Sequence, residues 1–418
     1  MKKREIFLVV ALVVFGVVYQ AIETGRVRFA KDFSFYTNER QLKGSRFIEF
    51  PGKEAFFPGV SRVIIENPAG EVSVGRSADD QVHLLSILRA YYSEKRQVDE
   101  LRDRTEVKSD LVDGVLKISV RYPSAFPYQR LRILFRLQVP LDIPLSVSNH
   151  EGDVVVRDTG KDIRIDQENG YLVLENIPSR TWLQLKNCVA KIKGLADHAE
   201  ITASHSNVFL TDAVSLRLNV RHGEVFIKNV KNDAVVEHAY GQLQVDGAGK
   251  LEIAARHSDI AVKNIQGGVT ISNKYENTLL ENASGDIRLA SRSGRIVLRR
   301  VTGRNVVIEN SYADVMVTDF SAANLDVLLN NGNLDLSVKN VTDRINIEAQ
   351  HSELNLVFAA LADPTFNIKT RQGRIYAQPL LGLENFEENE ENFANRSGGK
   401  PEILIHTTYG NVRVKIAD

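Results

Sequence analysis

The chain has 418 residues, 43% of them hydrophobic, and its 53 basic and 53 acidic side chains cancel to a formal charge of zero. That length allows a large core but exceeds one compact domain, and the balanced charge excludes a global basic field for nucleic acid. The single cysteine, Cys188, excludes an intrachain disulfide framework and a cysteine-based zinc cluster.

Taken in chain order, the first element is an apolar run of seventeen residues, Ile6 to Ile22, behind Lys2, Lys3 and Arg4. Its length sits at the short end of what spans a bilayer, and the same pattern fits a secretory signal. We therefore expect residues 1–25 to form a transmembrane anchor or signal segment. The bulk of the chain then lies on the far side, since long domains after a first segment usually translocate. Residues 26–61 read as a stalk. Residues 62–145 read as a β-rich cap: strand-like runs at Val115–Val120 and Leu131–Val139 follow a charged, helix-like stretch around Glu94–Asp103.

From residue 146 a repeat governs the chain. A turn recurs at Glu151-Gly152-Asp153, Asn169-Gly170-Tyr171, His205-Ser206-Asn207 and His222-Gly223-Glu224, and continues to Tyr409-Gly410-Asn411. With the central residue as the mark, the positions are 152, 170, 188, 206, 223, 241, 258, 276, 294, 313, 332, 352, 373 and 410. Spacing is 17 to 21 residues until the last gap of 37. Five residues before each mark stands an aliphatic side chain, from Val147 and Ile165 through Ile253 and Ile271 to Ile368 and Ile405. Two and four residues after it come pairs such as Val154/Val156, Leu172/Leu174 and Val412/Val414, the period-2 pattern of a strand. A third corner follows, as in Asn176-Ile177, Asp212-Ala213 and Asn264-Ile265.

One such unit cannot bury its aliphatic row, but stacked units can. The predicted fold is all-β: a parallel β-helix or solenoid, right-handed by the crossover rule. It has about 14 rungs over residues 146–418, at roughly 4.8 Å per rung. Residues 380–400 form an acidic insertion containing Glu384, Glu387, Glu388, Glu390 and Glu391. Because the chain ends soon after the last rung, its apolar residues, Phe393 among them, are expected to fold over the strand edge there.

The element Asn-x-x-Gly-[Asp/Glu]-Val-x-Val, clear at Asn67–Val74 and Asn149–Val156, resembles a bacterial β-solenoid family named for adhesins. The resemblance covers roughly residues 62–418. It implies an extracytoplasmic β-helix behind a signal or anchor segment, and it carries no catalytic residues over.

Six of the nine histidines sit at or beside the turn: His150, His205, His222, His238, His257 and His351. Strand alternation aims the residue before each mark inward, giving an internal ladder through His205, His222, Tyr240, His257 and Tyr275. Within it, His205 and His222 are the one candidate pair for a shared metal, without an accompanying carboxylate at ligand spacing. Three residues after the mark, an outward column holds Val173, Phe209, Phe226 and Leu279. A contiguous apolar stripe of that kind serves either binding or stacking within the sheet face. Two before the mark stand Lys186, Arg221, Arg256, Lys274, Arg292 and Arg371, facing Asp153, Glu224, Asp259, Asp314 and Glu353 across the turn, so local ion pairing is expected.

No His-Glu-x-x-His, Gly-x-Ser-x-Gly, phosphate-binding glycine loop or Cys-x-x-Cys occurs. The expectation is a non-enzymatic interaction or scaffold protein of the bacterial envelope, without cofactor, meeting a glycan or protein partner and capable of self-association. The alternatives are a carbohydrate-active β-helix enzyme, which needs paired carboxylates in a groove, and a filament-forming solenoid.

Overall fold

The computed structural model describes residues 46–92, 102–122, 131–359, 364–377, 386–387, 390–394 and 399–416. They belong to one compact unit, Ser45–Asp418. The apolar segment at residues 6–22 lies outside the described residues, as does most of the helix-like stretch near residue 100. Among the described residues, no helix is long and apolar enough to cross a membrane.

The fold is an all-β parallel solenoid. The aliphatic column five before each mark runs in register along the stack, Val147 beside Ile165, Ile253 beside Ile271 and Leu289 beside Ile308. Each of these side chains is at most 3% exposed. Burial of one such side chain contributes roughly 1.5–3 kcal/mol relative to leaving it in water, and repetition along one axis yields a continuous core. The columns two and four after the mark align in the same way, Val154 with Leu172 and Val156 with Leu174.

Left-handed residues make both corners. At the third corner Asp158, Asn176, Asp212, Asn229, Asn264 and Asn282 have φ between 51° and 60°. Asn and Asp tolerate that region better than most residues. They also bond along the stack: Nδ2 of Asn176 donates to Asp158 Oδ1 at 2.8 Å, and Nδ2 of Asn229 donates to Asp212 Oδ1 at 3.0 Å. At the marked turn, Gly152 has φ 118°, and a Cβ there would lie 2.0 Å from the Gly70 carbonyl oxygen one rung away. Only glycine fits that approach.

Chain order and stacking order agree from the rung at 144–157 to the rung at 345–358, and diverge at both ends. Glu402–Thr408 inserts between Leu334–Gln350 and Thr365–Arg371, parallel to both. The last rung in sequence is therefore the inner one, and the rung holding Thr365–Arg371 and Ile375–Ala377 is outermost. At the other end Arg62–Arg76 lies inside Val115–Arg121 and Leu131–Val139, and pairs on its inner side with Pro144–Glu151 and Val154–Arg157. The stretch from residue 62 thus contributes a full rung to the stack besides capping it.

Antiparallel strands cover both outermost rungs. At the first end, Glu106–Val112 pairs with Val115–Arg121 through a turn at Asp113 (φ 50°) and Gly114 (φ 77°), two positive-φ residues as a tight hairpin requires. Val82–Tyr92 covers Leu131–Val139 and is itself covered by Arg46–Phe57. Residues 46–57, expected as part of a stalk, are thus a paired strand. At the second end Glu390–Ala394 runs antiparallel to Thr365–Arg371. Phe393 is buried there, with its ring 6.1 Å from that of Phe366, which meets Phe358 at 6.0 Å. The insertion does cap a strand edge, but that of 365–371 and not the chain's final rung.

Candidate functional site

The marked turn defines one edge of the stack. Positions five and three before the mark face inward, but the residue just before it is left-handed: φ is 50° at His205, 61° at His222, 65° at Tyr240 and 54° at His257. This adds a step to the strand alternation, so the mark itself turns inward, as buried Ser206, Ser258 and Ser352 show. The side chain before it swings out. The ladder expected inside the solenoid is therefore outside. Its rings stack face to face: His205 on His222 at 4.8 Å, His222 on Tyr240 at 4.7 Å, Tyr240 on His257 at 5.0 Å and His257 on Tyr275 at 4.5 Å. A second stack joins His351 to Tyr409 at 4.8 Å.

This geometry removes the metal reading of His205 and His222. Their planes are 17° from parallel, and imidazole lone pairs lie in the ring plane, so the two cannot converge on one ion at about 2.0 Å. Among the described residues no group of three or more His, Cys, Asp or Glu side chains is arranged to hold a metal.

The true internal polar column stands three before the mark and escaped the sequence reading. It holds Asn149, Gln167, His238, Asn273 and Asn310, all buried. All but Asn149, whose Nδ2 donates to Gln167 Oε1 at 3.1 Å, meet turn carbonyls: Gln167 Nε2 donates to Gly152 O at 2.6 Å, and Asn273 Nδ2 to Ser258 O at 2.9 Å. His238 Nε2 lies 3.1 Å from Gly223 O, which makes that nitrogen the protonated one, and Nδ1 lies 2.8 Å from Ser258 Oγ. Burial holds the His238 pKa below its ordinary value. Unpaired buried carbonyls are costly, which explains why a core of aliphatic rows carries amides at this one corner.

The expected ion pairing across the turn is not how the charges are used. Asp153 Oδ1 accepts from Tyr171 N of the next rung at 3.0 Å and Asp314 Oδ1 from Asn333 N at 2.9 Å, while Glu353 pairs with Arg413 of the neighbouring rung at 2.8 Å. Of the basic column, Lys186 pairs with Glu168 at 2.6 Å, and the Arg256 guanidinium lies over the Tyr240 ring at 5.6 Å. Arg221, Lys274 and Arg292 are exposed and have no ion-pair partner among the described residues. A ridge of stacked rings with unneutralised cations beside it runs along this edge.

Beyond Tyr275 the ridge borders a groove of about 720 Å³, lined by Lys274, Tyr275, Arg292, Glu309, Glu348 and His406 among others. A second groove, about 760 Å³, follows the third corner, where Gly194 and Gly247 interrupt the Asn and Asp ladder. On the face after the turn, Phe209 and Phe226 stack at 5.2 Å with planes 6° apart. Val173, Phe209, Phe226 and Leu279 are each half-buried. Register runs Val173 to Lys191 to Phe209 to Phe226, and separately Ala261 to Leu279 to Val297 to Met316.

The fold and this edge define a parallel β-solenoid with an external ring ladder. Residues 247–415 match the family model described as Toastrack DUF4097. No curated protein matches. Among solved structures, one from Clostridium sporogenes, proposed by its name to be a cell adhesion protein, is 12% identical. The alignment covers 88% of this chain and 100% of that one, with a TM-score of 0.15. Another, from Bacteroides fragilis and proposed by its name to be an adhesin, is 13% identical, covering 71% and 97% with a TM-score of 0.23. A third, from Parabacteroides distasonis and named in the same way, is 14% identical, covering 75% and 98% with a TM-score of 0.21. Scores this low carry no argument about role.

Proposed function

We propose that this chain is a non-enzymatic interaction protein of the bacterial envelope, displayed outside the cytoplasm, and that it binds its partner along the turn edge. The observation that carries the reading is the exposed ladder from His205 to Tyr275. A left-handed non-glycine residue costs on the order of 1–3 kcal/mol, and the same position is filled elsewhere by Asn169, Asn187 and Asn331, which suit it better. Histidine and tyrosine here leave large rings at the surface beside Arg221 and Lys274, the composition of a recognition surface and not of a core.

The apolar stripe through Phe209 and Phe226 is a second contact surface in this proposal. The test is retention of glycans and envelope extract on the immobilised full chain. Saturable binding that weakens when His222 and Tyr240 are both replaced by Ala supports the reading. Catalytic hydrolysis of any retained polysaccharide overturns it.

A further inference from the structure

We propose that the break in the ring ladder at Ser293 is a binding slot for one sugar ring of an acidic polysaccharide, with Lys274 and Arg292 taking its carboxylate. This deepens the reading of the turn edge as the binding surface and rests on it. Asn273 pairs in register with Ser291, and Ser291 with Asn310. Tyr275, Ser293 and Tyr312, each two residues further on, therefore stand on successive rungs. Rings from His205 to Tyr275 repeat every 4.5 to 5.0 Å. At Ser293 the repeat lacks its ring, and Tyr312 restores one a rung later. Two rung spacings, about 9.6 Å, separate Tyr275 from Tyr312. That leaves room for one flat ring at the ladder's own spacing from each. Tyr275 is 39% exposed and Tyr312 60%, so both are open to a ligand.

Charge and groove chemistry select the ligand class. Lys274 and Arg292 flank the slot without ion-pair partners among the described residues. The nearby carboxylate of Glu309 is already held by Arg288 at 2.6 Å. An anionic group is therefore favoured, and the arginine fork matches a carboxylate. From Tyr275 the groove continues across the next rungs past Ala290, Ser311, Asn330, Gln350 and Thr408. Small and hydroxyl- or amide-bearing side chains suit an extended, hydroxyl-rich chain leaving the slot. A pyranose offers what both parts need: an apolar C–H face for tyrosine and polar edges for the groove.

The experiment is calorimetric titration of the full chain with tetragalacturonate, its neutral methyl ester and a single-stranded oligonucleotide. S293Y places a ring in the slot and extends the ladder, so the fold is expected to persist by circular dichroism while acid binding falls at least tenfold. K274Q combined with R292Q should reduce binding of the acid to that of the ester. Equal affinity of native chain and S293Y for the acid overturns the slot, as does equal affinity of the native chain for acid and ester. Oligonucleotide binding that S293Y abolishes, without saccharide binding, overturns the ligand class. If native and S293Y chains bind alike but the His222 and Tyr240 replacements weaken binding, the edge reading stands and only the slot fails. If the native chain retains no envelope component at all, the edge reading fails first.

Discussion

His205 and His222 face each other across one rung spacing, ring centroids 4.8 Å apart, with the Arg221 side chain beside them. Desolvation, then the charges of His205 and Arg221, hold the His222 pKa below its ordinary value. A histidine with a depressed folded pKa favours the neutral form, so its contribution to stability is present above about pH 6.5 and is lost as pH falls below that. H205N should raise the His222 midpoint in an NMR titration of the ring protons. An unchanged midpoint would mean that the two rings do not sense each other's charge.

Asp153 gives the opposite sign. It is 5% exposed, its Oδ2 has no partner, and burial, opposed by the Tyr171 N–H and reinforced by Glu71, pushes its pKa up to about 6. The folded state thus prefers the protonated acid, and stability falls as pH rises from the unfolded value near 3.8 through about 6. At 1.36 kcal/mol per pH unit the effect is on the order of 3 kcal/mol. D153N should be more stable than the parent at pH 8 and equal to it near pH 4 in urea melts. A variant weakened at pH 8 but not near pH 4 would show that the carboxylate is needed in its charged form.

The aliphatic column sets stability. Ile253 and Ile271 are neighbours in register, at 1% and 2% exposure, and replacing either with Ala should cost roughly 2–5 kcal/mol. Because the two touch, the double variant should depart from additivity. Thermal or urea melts measure both.

Phe209 and Phe226 pose a choice between partner contact and sheet stacking. Changing both to Ser should leave a β-rich circular dichroism spectrum and weaken partner binding or self-association in sedimentation. Unaltered association with lost stability would assign the pair to stacking within the face.

Phe393 is the anchor of the antiparallel strand over Thr365–Arg371. F393D should detach that strand and bare a parallel edge, which invites pairing with another chain. Concentration-dependent oligomers in sedimentation are the expected result. A monomer of unchanged stability would show that the outer edge is protected without it.

Much of this was legible because a solenoid repeats its physics. The aliphatic row ending at Ile405, the Asn and Asp corners and the paired strands after each mark could be read directly, since each rung sees the same environment. The direction of His205 and Tyr240 could not, because alternation was carried through a residue whose left-handed backbone breaks it. The Asn residues at 169, 187 and 331 were the available signal, as asparagine marks such positions. The exchanged rung order was hidden for the converse reason. Val63 or Ile403 carries the same pattern whichever rung it lies beside, and only the long final gap hinted at a rearranged end. The polar column through Asn273 and His238 was visible as residues, but its role needed the turn carbonyls in place.

The placement of Glu402–Thr408 between two strands that precede it in the chain orders assembly in time. In the finished stack Thr365–Arg371 lies on Glu402–Thr408 and not on Leu334–Gln350, so its native seat forms only after the strand that separates the two has been made. Closure of this end thus waits on a strand made after both of its neighbours.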